Sequence, residues 1–266
     1  MIILTYHQHI FYSDQKLEVP VTIELKARDI PMTLNIEQFH YGTDNFAYLI
    51  YGIKEAIAVD GGAWQEILSF LKQRNLTLKV VTNTHSHYDH TPGNDFLLRE
   101  TSAKFIHPAD FQENQQIIID GEAIRVYLTP GHTGDSVCFH AGKFLVTGDT
   151  LFNGTIGNCF SGSMNNFFLS IKKMMALPDE TVIYAGHDYV LNSLTFAQHL
   201  EPDNPQIDIF RKFYNAQNTV FSTLAQERRI NPYLRFNEEA LMNILRKNDL
   251  PRTSEWERWN SLMSIE

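Results

Sequence analysis

Four side chains able to bind metal ions fall within six residues at His85, His87, Asp89 and His90, in the run Thr84-His85-Ser86-His87-Tyr88-Asp89-His90. Apolar Leu78, Val80 and Val81 precede them and Pro92-Gly93 follows, which is the pattern of a strand opening into a loop. Side chains alternate along a strand, so extended backbone presents His85 and His87 on one side. The turn after them then brings Asp89 and His90 to face a second point. One segment can thus serve two ions, against the plain alternative of a solvated loop with no role.

Three further segments weigh against that alternative. Pro130-Gly131-His132-Thr133-Gly134, Thr147-Gly148-Asp149-Thr150 and Ala185-Gly186-His187-Asp188-Tyr189 each follow a strand-like run and place His or Asp beside glycine. Imidazole and carboxylate donors without thiolate suit zinc, iron or manganese. His85, His87, Asp89, His90, His132, Asp149 and His187 are too many donors for one tetrahedral ion and suit two divalent ions, zinc ahead of iron or manganese, with Asp149 between them. Water held between two cations roughly 3.5 Å apart has its pKa lowered from about 15.7 towards about 7, and the same ions stabilise an oxyanion. The chemistry expected is hydrolysis, with Asp149, Asp89 and His90 as catalytic candidates.

The elements that must position these groups read as alternating short strands and helices. Ala47-Tyr48-Leu49-Ile50-Tyr51 and Glu55-Ala56-Ile57-Ala58-Val59 predict two strands joined at Gly52, and Trp64, Ile67, Leu68 and Leu71 recur at helical spacing. A short helix is predicted over 94–99, then strands near 104–107, 116–119, 124–129, 136–140 and 143–146, a helix over 164–176 and a strand over 181–184. Many strands with helices outside them predict a layered α/β sandwich with the ligand loops at one edge. From Leu194 onward the texture becomes helical, and Asn237-Glu238-Glu239 reads as a helix start with acidic residues in its first turn. The expected organisation is an N-terminal strand or hairpin over 1–35 packed on the main domain, that domain over 36–193, and a helical C-terminal subdomain over 194–266.

The 266 residues allow a large core, and 43% hydrophobic with 20% charged residues belongs to an ordinary globular protein. A formal charge of -9 argues against a nucleic-acid surface, since phosphates call for a basic face. Two cysteines, Cys138 and Cys159, make a disulfide framework unexpected. The opening Met1-Ile2-Ile3-Leu4-Thr5 lacks a basic start, and no long apolar stretch predicts a membrane span. A cytoplasmic protein acting on a small molecule is expected.

Taken together, Thr84 to His90 with His132, Asp149 and His187 resembles the metallo-β-lactamase superfamily. Thr43-Asp44-Asn45-Phe46, Thr147-Gly148-Asp149-Thr150-Leu151-Phe152, Leu200-Glu201-Pro202-Asp203-Asn204 and Asn231-Pro232-Tyr233-Leu234-Arg235 narrow the resemblance to its glyoxalase II, or hydroxyacylglutathione hydrolase, type. That resemblance implies an αββα four-layer sandwich with a helical C-terminal subdomain. It implies that His85, His87 and His132 hold one ion, that Asp89, His90 and His187 hold the other, and that Asp149 bridges them, with Asp60 as an acid fixing ligand orientation. It also implies hydrolysis of S-D-lactoylglutathione or a related thioester by a bridging hydroxide, with a thiolate of low pKa as leaving group and therefore no strong general acid.

The chain leaves the family pattern at the thiol-carrier site. Many members carry a lysine and, two residues on, a tyrosine that hold a glutathione carboxylate, and here those places are Asn158 and Phe160. Tyr189 matches the family's other tyrosine at that site, and Arg235 is a candidate cation. A charge-assisted hydrogen bond is worth roughly 1.5 to 3 kcal/mol, so both replacements bear on substrate more than on chemistry. The alternatives are a persulfide dioxygenase with one iron, another metallo-hydrolase acting on a lactone or phosphodiester, and a non-catalytic binding protein stabilised by metal.

Overall fold

The computed structural model describes the backbone of residues 2–12 and 15–25 and, with side chains, residues 34–216 and 218–265. It divides into two compact units, Met1–Thr33 and Leu34–Glu266. In the first, β1 (Ile2–Tyr12) and β2 (Gln15–Leu25) pair antiparallel from Ile2 opposite Leu25 to Tyr12 opposite Gln15. The expected packing of residues 1–35 on the main domain lies outside the described residues.

The second unit begins with a five-stranded sheet ordered β3 (Asn35–Tyr41), β4 (Asn45–Tyr51), β5 (Glu55–Val59), β6 (Thr77–Thr82) and β7 (Lys104–Ile106). Helices α1 (Trp64–Arg74) and α2 (Asn94–Glu100) make the crossovers that let β5, β6 and β7 run parallel. Strand alternation sorts the faces: Ala47, Leu49, Ala56 and Ala58 pack with Ile67 and Leu71 of α1 and Leu97 of α2. Phe46, Tyr48, Ile50, Ile57 and Val59 point the other way, into the central core. Small alanines on the helix face let α1 and α2 approach closely, and aromatics fill the space between the sheets.

A second sheet, of six strands, supplies the other half of that core. Its order in space is β13, β12, β11, β10, β9, β8, where β8 is Gln116–Ile119, β9 Glu122–Leu128, β10 Val137–Ala141, β11 Phe144–Gly148, β12 Val182–Ala185 and β13 Ser222–Thr223. Ile117, Ile124, Val126, Phe139 and Val146 face the first sheet. Tyr127, Cys138, Leu145 and Ile183 face outward onto α3 (Met164–Met175). The layers are thus helix, sheet, sheet, helix, as the resemblance implied.

The C-terminal stretch carries α4 (Val190–Leu200), α5 (Pro205–Phe213), α6 (Leu224–Ile230), α7 (Glu239–Lys247) and α8 (Glu255–Met263). A boundary at residue 193 falls inside α4, whose Val190, Leu194 and Ala197 are buried in the central core with the strands. The C-terminal part also lends a strand to the sheet: β13 pairs antiparallel with β12, Val182 opposite Thr223 and Ile183 opposite Ser222. Helix α8 packs Trp259, fully buried, against Phe167 and Phe168 of α3. Among the described residues no helix is long and apolar enough to cross a membrane.

Candidate metal centre

The seven donors meet at one edge of the sandwich, where β6, β9, β11 and β12 end. Strand β6 stops at Thr82, so His85 and His87 lie in the loop beyond it and strand alternation does not align them. Asn83 closes that loop instead, donating from Nδ2 to the His90 carbonyl at 2.6 Å while its Oδ1 accepts from Asn94 Nδ2 at 2.7 Å. Val137 N–H donates to the Thr84 carbonyl at 2.8 Å and ties the loop to the second sheet. His87 turns its Nδ1 inward, where His85 and His132 present Nε2.

Those nitrogens converge. His85 Nε2 lies 3.0 Å and His132 Nε2 3.1 Å from His87 Nδ1. A second group forms from His90 Nε2 and His187 Nε2, 3.1 Å apart, with Asp89 Oδ2 at 3.7 and 3.4 Å from them. Asp149 stands between the groups, Oδ1 at 3.4 Å from His90 Nε2 and Oδ2 at 3.4 Å from His132 Nε2 and 3.5 Å from His187 Nε2. Within each of the two triads the donor atoms lie within 4.8 Å of one another.

The donor set fits divalent metal. Tetrahedral zinc, with bonds of about 2.0 to 2.1 Å to imidazole, spaces its ligands roughly 3.3 Å apart, close to these separations. Asp149 Oδ1 is buried with no hydrogen-bond partner among the described residues, a costly state for a carboxylate unless a cation completes it. Burial pushes the His85 imidazole down to about 3, with the neighbouring His90 adding to it, so His85 is a neutral donor at pH 7. Burial works to raise Asp149, but the facing imidazoles of His187 and His90 outweigh it and hold the carboxyl well below its ordinary range.

Four of the five inward imidazoles, those of His85, His90, His132 and His187, are backed by a partner on the other nitrogen, which fixes tautomer and ring orientation. His90 Nδ1 lies 3.1 Å from Asp60 Oδ2, and Asp60 also accepts from Thr84 N–H and from Thr84 Oγ1, each at 2.7 Å. Thr84 Oγ1 lies 3.1 Å from His85 Nδ1. His132 Nδ1 is 2.9 Å from the Asn158 carbonyl, and His187 Nδ1 is 2.9 Å from Asp44 Oδ1. Asp44, Thr84 and the Asn158 backbone carry no role in the sequence reading. Asp44 immediately precedes β4 and its first residue Asn45, whose Nδ2 donates to Asp89 Oδ2 at 3.1 Å. Gly186 precedes His187 because a Cβ there would clash with Asp149 Oδ1.

The substrate candidates separate. Tyr189 stacks on His187, ring centroids 4.9 Å apart and 6° from parallel, and Phe152 meets Tyr189 edge-on at 5.1 Å. Phe160, 66% exposed, stands edge-on to His87 and His132 at 5.7 and 5.3 Å. Asn158 and Tyr189 line a cleft of about 370 Å³ with Phe152, Ile156 and Phe196. Arg235 is not among the residues lining it: its guanidinium forms a two-pronged pair with the buried Glu201, at 2.9 and 2.8 Å.

Comparison with known proteins agrees with this geometry. The chain matches the metallo-beta-lactamase superfamily over residues 41–115 and 105–187 and the hydroxyacylglutathione hydrolase C-terminus over residues 188–263. It is 34% identical to a hydroxyacylglutathione hydrolase of Chromohalobacter salexigens over 221 residues, 76% of this chain and 87% of that one. With the Vibrio cholerae protein of the same name the identity is 33% over 79% of this chain and 89% of that one. Among solved structures, ETHE1 from Myxococcus xanthus superposes with a TM-score of 0.61 at 24% identity, covering 82% of this chain and 92% of that one, and shares the fold. Fold and donor set define a metal-dependent hydrolase of the metallo-β-lactamase type. Within that superfamily, the chain belongs to the hydroxyacylglutathione hydrolase family.

Proposed function

We propose that the protein hydrolyses the thioester of a small acyl thiol, S-D-lactoylglutathione or a close relative, at a centre of two divalent ions. The observation that carries this reading is the pair of donor triads sharing Asp149 beside an open cleft. His85, His87 and His132 would hold one ion, and Asp89, His90 and His187 the other. Two such ions supply a hydroxide near neutral pH and polarise the acyl carbonyl.

The protein's own groups do the rest. Asp60, Asp44, Thr84 and the Asn158 carbonyl keep the imidazoles of His90, His187, His85 and His132 in the donor tautomer, so these four do not have to reorient during turnover. Phe160 and Tyr189 flank the donors and leave an apolar approach for the acyl and thiol parts. When water's oxygen bonds to the acyl carbon and the carbon–sulfur bond breaks, the leaving thiolate needs no buried acid. The complete Asp89, His90 and His187 triad favours two ions over the single iron of a dioxygenase. The free Cys138 and Cys159 favour a reducing compartment such as the cytoplasm.

Steady-state hydrolysis of S-D-lactoylglutathione and of an uncharged thioester by metal-analysed protein tests the reading. Wild type should hydrolyse at least one, and Asp149→Asn should lose the activity by a factor of about a thousand or more, as removal of a central electrostatic group does. Equal rates for wild type and Asp149→Asn would reject it.

A further inference from the structure

Glu227 is a fully buried acid that touches none of the metal donors. From α6 it reaches under the hairpin that follows Asp149. That hairpin is closed by Phe152 N–H donating to the Thr155 carbonyl at 3.0 Å and by the bridge between Leu151 and Ile156. Gly154 forms its tip with a φ of 96°, a left-handed conformation that favours glycine, and donates its N–H to both Glu227 oxygens at 3.1 and 3.0 Å.

Two more ties bind the same hairpin to the C-terminal segment. Asn231 Nδ2 donates to Glu227 Oε2 at 2.8 Å and to the Thr155 carbonyl at 3.0 Å. Asn231 cannot turn its amide round, because its Oδ1 accepts from Tyr233 N–H at 3.1 Å. Asn153 Nδ2 donates to Ser222 Oγ at 2.7 Å. A carboxylate can accept from Gly154, Asn231 and Ser222 together, whereas an amide offers one acceptor atom for the same donors. The groups facing Glu227 from the hairpin, from β13 and from Asn231 are uncharged, and Arg228 on its own helix turns to Asp179 at 2.9 Å.

What the hairpin carries gives this anchor its meaning. One arm runs back to Asp149, and the other leads through Ile156 and Gly157, in the cleft wall, to the Asn158 carbonyl that holds His132. We propose that Glu227 is a positioning residue for hydrolysis, which sets the cleft wall and the orientation of His132 by anchoring the Gly154 hairpin. The proposal rests on the hydrolytic reading above.

Two measurements on the metal-loaded protein test it. In Glu227→Gln, backbone amides from Gly154 to Phe160 should exchange with solvent at least about tenfold faster, the loss of one buried hydrogen bond. KM should rise by about the same factor while kcat falls less and metal content stays at the wild-type level. The second measurement needs no variant: burial under the hairpin pushes Glu227 up to about 7, so the closed hairpin binds the proton more tightly than an opened one, and wild-type KM and the normalised exchange of the Gly154 amide should both rise as pH rises from 6 to 8. A well-folded variant with wild-type KM and exchange, or, should it fail to fold, a wild type showing neither pH response, overturns the proposal. Because exchange is read without substrate, a wild type inactive on thioesters would remove the assigned reaction and still leave Glu227 decided.

Discussion

Asp60 Oδ2 stands 3.1 Å from His90 Nδ1, with both side chains shielded from solvent. Asp60 adopts a φ of 53°, a left-handed conformation that costs a non-glycine residue roughly 1 kcal/mol or more. Thr84 holds it there through two bonds, so the end of β5 stores strain in order to aim one carboxylate at one ligand.

Asp60→Asn should therefore weaken metal binding without unfolding the protein. Partners behind metal ligands typically contribute about 10- to 100-fold in affinity, and the loss should fall on the ion held with His90. Competition with a chelator, followed by metal analysis, should show one ion leaving earlier than in wild type. Identical release curves would deny Asp60 this role.

The double variant Asn158→Lys/Phe160→Tyr examines substrate choice. The Asn158 carbonyl, not its side chain, serves His132, and Phe160 contacts the ligand rings only by its edge, so the metal centre should survive both changes. A new charge-assisted contact worth roughly 1.5 to 3 kcal/mol should raise kcat/KM for a glutathione thioester by about tenfold or more and leave an uncharged thioester unaffected. Parallel changes on both substrates would refute the assignment of these two positions.

Trp259 reports on the C-terminal packing alone. Its ring is fully buried against Phe167 and Phe168, and Trp259→Ala should cost about 3 to 5 kcal/mol of stability. Urea unfolding should show a lower midpoint, while the metal content of the folded fraction stays unchanged.

Glu227 also sets a pH dependence of stability. Burial raises its carboxyl from 4.5 to about 7, so the folded state binds this proton more tightly than the unfolded chain does. The sign follows: the contribution is full below the ordinary value and is lost as pH rises through about 7, on the order of 3 kcal/mol in all. Glu227→Gln should lack that decline, and unfolding curves of the two proteins that run parallel from pH 5 to 8 would contradict it.

The metal donors were legible in the sequence because they cluster along the chain and sit beside glycine at strand ends. Asp44, 143 residues from His187, and the Asn158 carbonyl were not, since a contact across the fold leaves no spacing to read and a backbone carbonyl belongs to every residue. Arg235 read as a free cation because its partner Glu201 lies 34 residues away. The layered architecture followed from many short strands with helices outside them, beginning with the runs Ala47 to Tyr51 and Glu55 to Val59 and the helical spacing of Trp64, Ile67, Leu68 and Leu71. The two-residue β13 is too short to carry any period, and it was found only through its pairing with β12.

The central claim is that thioester hydrolysis needs both donor triads filled. Metal-free protein titrated with zinc while the rate of hydrolysis is followed tests it most directly. Full activity should arrive only with the second equivalent per chain. A rate that reaches its maximum at one equivalent, or that is unchanged with no metal at all, would contradict the account.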